Sequence, residues 1–390
     1  MSMTFTNDVC YGNDNELLAL LKGYSALIPP LHLKFPTQCS FTEVHTFLLH
    51  QVLLGPHLEQ YPPSGRYQQS FWKWAIEHLE RMDQDEEVSY ATEPHEKATH
   101  SQLHIKDGEI DTRIYDRYLS LISGSTDPSG PPPDSYMTYY WKPSSSLSSA
   151  DRSSHETITL LESRTTIEGG TTGLRTWCAS FVLGSYLIAN AETIRDQTVL
   201  ELGCGSGFLG IIVATIQQKF NERHQSHHQA LPAVLLTDVN AGVLSRCRDN
   251  VQLRCNQSSN HPNITFSTLD WFDALSLPFS ENTMTAFLSK MSAGVVIGAD
   301  IVFDPILVPP LVATLRIALS FKKTRMVVVA LTVRNEQTLA HFVTEAAKEL
   351  CVEEVPHAFT SATYFDLDTT GVDAGLDVKI FKITLHNSAS

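Results

Sequence analysis

Along ELLALLKGYSALI (16–28), FTEVHTFLLHQVL (41–53) and YQQSFWKWAIEHLE (67–80), apolar residues recur at intervals of three and four. That spacing lines one face of a helix. Pro29-Pro30, Pro36 and Pro62-Pro63 separate the stretches, because proline ends helices and sets turns. DTRIYDRYLSLI (111–122) is a further candidate helix. Residues 14–122 are thus expected to be all-helical, with packing or partner contact as their work. From 123 to 155 the chain turns to Pro, Gly and Ser, which favours extended chain. Inside it, YMTYYW (136–141) reads as a short strand, or as a binding element.

From about 157 the pattern alternates. TVLELG (198–203), AVLLTD (233–238), ITFSTLDW (264–271), AGVVIGADIVF (293–303) and MVVVALTV (326–333) read as strands. Helices intervene at 208–220, 243–255, 307–320 and 336–350. SATYFDL (361–367) and DVKIFKITL (377–385) read as two closing, antiparallel strands. Alternating strands and helices imply an α/β fold with a mostly parallel sheet covered on both faces. NERHQSHHQ (221–229) and NQSSNHPN (256–263) read as polar surface insertions. His224, His227 and His228 lack a Cys or carboxylate to complete a metal site, so a solvated loop is expected and no metal. The expected domains are 1–122 (helical), 123–155 (linker with a short strand) and 156–390 (α/β).

Composition narrows the function. The chain is 42% hydrophobic over 390 residues, with a formal charge of −15. No run approaches the roughly 20 apolar residues of a membrane span, and MSMTFTNDVCYGND does not read as a signal peptide. The negative charge argues against direct nucleic-acid binding. The seven cysteines include no CxxC pair, which suits a reducing, cytoplasmic setting. The Asn-X-Ser/Thr triplets at Asn256 and Asn263 are then not glycosylation sites. A monomer is expected.

The densest chemistry lies in VLELGCGSGFLG (199–210). In such sheets ligands bind beyond the carboxyl ends of the strands. Glycines permit positive φ and close approach there, and the next helix aims its first amides at the same place. Residues 205–210 spell GxGxxG, a weak dinucleotide signature. Glu201 ahead of the glycines suits a cation instead, such as the α-ammonium and sulfonium of S-adenosylmethionine. Asp238 closes the second strand, where an acid can hold ribose hydroxyls. Asp270 closes the third, beside Trp271, where they can meet adenine. Each acid alone could be a helix cap or a surface group. In this order, with the glycines, the three point to a class I methyltransferase.

GGTTGLRTWCAS (169–180), VLELGCGSGFLG, LDW (269–271), GADIVFDP (298–305) and VALTVRNEQT (329–338) together resemble the seven-strand protein-lysine methyltransferases called family 16. TTGLRTW and LTVRN resemble its branch acting on eukaryotic elongation factor 2, which also carries a helical N-terminal region. The resemblance implies a Rossmann-like seven-strand sheet, mostly parallel with the last strand antiparallel, and S-adenosylmethionine as cofactor. It implies that Trp177 and Ala299 line the cofactor pocket and that Gly203, Cys204 and Gly205 meet the methionine moiety. Asp238 would hold the ribose, and Asp270 and Trp271 the adenine. Asp300 to Phe303 would stand where the target lysine enters. Two positions depart from the family: Cys178 replaces an acid after the tryptophan, and Phe303 replaces a tyrosine. The expected catalytic pair is Asp300, accepting a hydrogen bond from the incoming amine, and Phe303, walling the channel. Cys204 is expected to be a spacer. Arg334-Asn335 either meets substrate or caps the following helix. The alternatives are an RNA or small-molecule methyltransferase and a non-catalytic partner protein on the same fold.

Overall fold

The helical periodicity of the first third is realised with its caps. The computed structural model describes residues 14–91, 109–124, 132–143, 155–223, 230–276, 283–360, 362–365 and 375–386. Helices α1 (Asp14–Ser25), α2 (Phe41–Phe47), α3 (Pro56–Gln60), α4 (Gly65–Ala91) and α5 (Thr112–Ser123) precede strand β1 (Ser135–Trp141). Ser40 and Glu43 form a reciprocal capping box on α2, and Asp111 caps α5, each satisfying otherwise orphaned amides. The predicted helix 41–53 is one run whose second half, Leu48–Leu53, widens to π geometry. Leu17, Leu20, Leu48, Phe71, Trp72, Leu79 and Ile114 are buried as the core of this unit. The chain divides into two compact units between Tyr139 and Tyr140, within β1.

The second unit begins with β2 (Glu156–Glu162) and α6 (Cys178–Ala189). Then come β3 (Val199–Leu202), α7 (Phe208–Arg223), β4 (Val234–Asp238), α8 (Ala241–Val251), β5 (Ile264–Thr268), α9 (Thr283–Met291), β6 (Val295–Ala299), α10 (Val308–Ser320), β7 (Met326–Thr332), α11 (Glu336–Ala347), β8 (Leu350–Val355), α12 (Ala362–Phe365) and β9 (Val378–Leu385). Seven strands form one sheet in the order β5-β4-β3-β6-β7-β9-β8. β3, β4, β5, β6 and β7 pair in parallel, and β9 runs antiparallel to β7 and β8. The expected mostly parallel, seven-strand sheet with an antiparallel last strand is what the chain forms. Leu200, Leu202, Val296, Val327, Val329 and Phe381 face a core shared with α9, α10 and α11. α6 and α7 pack together and against the sheet. Every β3 residue is buried, so both faces are covered.

Several boundaries differ from the sequence reading. The stretch 361–367 is not a strand: Ala362–Phe365 is a helical turn, and Ser361, Asp366 and Leu367 lie outside the described residues. Phe365 is 1% exposed, with its ring 5.3 Å from Phe208 and 5.5 Å from Phe181, so burial decides its conformation. The seventh strand is β8, which the helical pattern of 336–350 had partly absorbed. Its Glu353 and Glu354 disguise it, and such charges are typical of edge strands. β6 stops at Ala299 because Asp300 takes φ +54°, a left-handed conformation that aspartate tolerates better than most residues.

The polar stretch 256–263 is not a surface insertion. Asn256, Ser258 and His261 are buried. Asn256 Oδ1 accepts from Thr159 N at 2.9 Å while Nδ2 donates to Thr159 O and Asn250 O, both at 2.8 Å. Asn250 Oδ1 likewise accepts from Leu161 N at 2.8 Å. These amides complete one edge of β2 in place of a strand. His224, His227 and His228 lie outside the described residues. Among the described residues, no cluster of His, Cys, Asp or Glu suits a metal, and no helix is long and apolar enough to cross a membrane.

Candidate active site

The parallel strands deliver their carboxyl ends to one edge, and a cavity of about 410 Å³ opens there. It is the size of a small-ligand pocket. β3 ends in the glycine turn. Gly203 has φ +64°, and a Cβ on it would lie 3.0 Å from Ile301 Cγ2 and 3.9 Å from Trp271 Cζ2. Only glycine keeps this backbone both left-handed and bare toward the cavity. Cys204 N donates to Thr237 O at 2.9 Å, pinning the turn to β4.

All eleven residues singled out in the sequence line this cavity. Trp177 comes from the loop before α6. Glu201, Gly203, Cys204 and Gly205 come from β3 and its turn, Asp238 from β4, Asp270 and Trp271 from the end of β5. Ala299, Asp300 and Phe303 follow β6. Cys204 is buried; a hydrogen bond with the Cys247 thiol, together with burial, pushes its thiol well up from the usual range. A thiol held protonated is a poor nucleophile.

The three acids differ in state. Glu201 is 3% exposed, and its Oε2 has no hydrogen-bond partner. Burial, then the charge of Asp238, push its carboxyl well above the ordinary value, against a hydrogen bond from the Gly210 amide. Burial also raises Asp238, opposed by the amides of Asn240, Gly205 and Val239. Asp270 is exposed and accepts from Phe272 N at 2.9 Å as the cap of a short 3₁₀ turn. A buried carboxylate oxygen without a partner is costly, and a cationic ligand group would relieve it.

The wall beside the glycine turn is the 169–177 loop, tied down by a buried network. Glu162 Oε1 accepts from Thr176 N at 3.1 Å, from the Thr176 hydroxyl, and from Ser206 Oγ at 3.3 Å. Thr176 Oγ1 and Ser206 Oγ lie 2.9 Å apart, and Asn250 Nδ2 donates to Ser206 O at 2.9 Å. Loop, glycine turn, β2 and α8 thus share one set of hydrogen bonds. Trp177 Nε1 donates to Thr172 O at 3.0 Å. The Arg175 and Arg334 guanidinium carbons lie 5.0 Å and 4.8 Å from the Trp177 ring centroid, within cation–π range.

Asp300 links this wall to β7. Its Oδ1 accepts from Thr332 N at 2.8 Å, and its Oδ2 from Thr332 Oγ1 at 3.0 Å and Arg334 Nη2 at 3.1 Å. Of the pair left open in the sequence, Arg334 meets Asp300 and Trp177, while Asn335 caps α11 through Gln337 N and Thr338 N. Cys178 opens α6, whose cap residue, Trp177, gives the helix no side-chain cap hydrogen bond. Phe303 and Ile306 are 59% and 63% exposed, and Val239 and Phe272 are exposed parts of the cavity lining. The sequence reading missed Glu162, Ser206 and Asn250, whose surroundings come from distant segments.

Residues 155–349 match the family described as lysine methyltransferase. Protein-lysine N-methyltransferase EFM3 of Chaetomium thermophilum is 33% identical over 208 residues, 53% of this chain and 55% of that protein. Human protein-lysine N-methyltransferase EEF2KMT is 30% identical over 201 residues, 49% of this chain and 54% of that protein. In these comparisons the chain spans about half the length of the relatives it matches. The bovine EEF2KMT is 26% identical over 340 residues, 81% of this chain and 82% of that protein. Through the match over 155–349, which takes in β3 to β7, the glycine turn and the acids, the chain belongs to the lysine methyltransferase family.

Proposed function

We propose that this protein is a protein-lysine N-methyltransferase that modifies elongation factor 2 in the cytoplasm. The observation that carries the reading is Glu201, a buried carboxylate with one oxygen unpartnered, facing a cavity walled by two tryptophans and a bare glycine turn. S-adenosylmethionine is the family's cofactor and supplies, when bound, an electrophilic methyl group on a sulfonium. The residues fit it. Glu201 would take the α-ammonium, and the Gly203–Gly205 backbone the methionine chain. Asp238 would take the ribose hydroxyls; Trp271 would cover the adenine, with Asp270 at its polar edge, and Ala299 and Trp177 would close the sides. The substrate assignment draws on the relatives named EEF2KMT and on the TTGLRTW and LTVRN segments.

The acceptor lysine must enter neutral and aligned, because alignment supplies much of the rate in such a transfer. Its reference pKa of about 10.4 favours the charged form. Phe303, an exposed part of the cavity lining, makes its entrance apolar, which disfavours the ammonium. A lone carboxylate would hold the ammonium in place, but Arg334 balances the charge of Asp300. Asp300 therefore acts as a positioning residue, fixing the β6 end against Thr332 and Arg334 and keeping Phe303 at the mouth. Among the described residues, those lining the cavity fall between Gly170 and Leu307; the helical N-terminal unit is assigned packing or partner contact on its sequence pattern.

The test is incubation with tritiated S-adenosylmethionine and an extract lacking this protein. A single labelled band at the mass of elongation factor 2 supports the proposal. Label in RNA alone, or in small molecules alone, overturns it.

A further inference from the structure

The methionine end of the cofactor carries both an ammonium and a carboxylate, and a cavity lined by Glu201, Asp238 and Asp270 suits only the first. A carboxylate buried among these acids without a counter-charge would oppose binding. Arg175 is the basic residue among those lining the cavity. Among the described residues its guanidinium has no hydrogen-bond or ion-pair partner; it lies over Trp177, with its ring contact at 5.0 Å, and within electrostatic range of Glu162. The loop that carries it is fixed on both sides, by Thr176 on Glu162 and by Trp177 on Thr172. α6 starts three residues after Arg175 with no side-chain cap, and Ser180 in its first turn also lines the cavity. A helix start adds a partial positive charge of its own.

We infer that Arg175 binds the α-carboxylate of the cofactor, forming with Glu201 a matched pair of opposite charges that recognises the amino-acid zwitterion. This rests on the cofactor reading above. Trp177 then serves as the platform that holds the planar guanidinium in register, a task for which Arg is suited and Lys is not. The neutral hydroxyls on this wall, Thr171 and Ser180, can add hydrogen bonds but no charge.

The experiment is calorimetric binding of two ligands, S-adenosylhomocysteine and its decarboxylated analogue, S-adenosyl-3-thiopropylamine. The unmodified protein should prefer the carboxylate-bearing ligand by about 10-fold or more, the factor expected of one charge-assisted hydrogen-bonded contact. Arg175→Met should lose that preference: S-adenosylhomocysteine weakens by about 10- to 100-fold while the analogue stays within about twofold. Arg175→Lys should restore part of the loss. Equal affinity of the unmodified protein for both ligands overturns the inference without needing any variant to fold. So does an Arg175→Met protein that weakens both ligands alike, or one that leaves both unchanged while raising the KM of the protein acceptor. If the unmodified protein binds neither ligand, the cofactor reading itself fails.

Discussion

Glu201→Gln isolates the anionic pole of the cavity at nearly constant shape. In the ligand-free protein the Glu201 carboxyl is buried beside Asp238, with one oxygen unpartnered, and its proton affinity is raised well above that of an ordinary glutamate, 4.5. In the window that opens at this value and extends upward, the native state keeps a proton that the unfolded chain has released. Stability of the ligand-free protein therefore falls as pH rises through the window. A bound ammonium has the reverse preference. It favours the ionised carboxylate, so binding expels the proton and affinity should rise with pH over the same window. One hydrogen bond to a charged group contributes about 1.5–3 kcal/mol, which is about 10- to 150-fold in Kd. The assay is calorimetry with S-adenosylhomocysteine from about pH 5 to pH 8 in buffers of different ionisation enthalpy, which counts the released proton. For Glu201→Gln we expect a Kd weaker by that factor at the upper end and no linked proton. Its ligand-free melting temperature at neutral pH should match or exceed that of the parent. A variant that binds as tightly as the parent, or a parent whose Kd is flat in pH, would refute the reasoning.

Three other substitutions separate the roles. Asn256→Ala leaves both main-chain groups of Thr159 without their amide partner; it should cost about 2–4 kcal/mol and lower the melting temperature by about 5–15 °C, and a negligible shift would contradict the buried network. Phe303→Ala should raise the KM for the protein acceptor by about 10-fold, as for one apolar anchor of an interface, with unchanged S-adenosylhomocysteine affinity; a loss confined to cofactor binding would move Phe303 to the other side of the site. Gly203→Ala places a side chain at φ +64°, 3.0 Å from Ile301; the conformation alone costs about 1–2 kcal/mol, and both melting temperature and cofactor affinity should drop, so a variant with parental values would show that the turn is not tight.

The central strands were legible because burial on both faces leaves continuous Val, Ile and Leu, and the glycine turn because left-handed backbone demands glycine. Those two signals mark the edge of the sheet where a ligand would bind, while Trp177, Ala299, Asp300 and Phe303 were singled out by the family resemblance. Side-chain partners were not legible. Asp300 reads in sequence as a carboxylate free to meet substrate, yet its oxygens are engaged by Thr332 and Arg334, 32 and 34 residues away. Asp270 carries an N-cap duty that any Asp before a turn can carry. The stretch 256–263 looked solvated because its residues are polar, and only the unpaired edge of β2 explains why polarity is needed inside. Phe365 looked like part of a strand by propensity and is fixed instead by two phenylalanine rings. In each case the deciding contact is distant in sequence, which periodicity does not sense.

The amide side chains along β2 have one more consequence. The segment Ile158–Leu161 is largely buried and rich in β-branched and leucine residues, and a run of that kind with open main-chain groups invites a strand from another molecule. Asn250 and Asn256 occupy those groups one by one, acting as a stopper at the border of the strand. Removing either would uncover a docking template for self-association, so preparations of such variants should form filaments or precipitate on warming even where the remaining sheet is still intact.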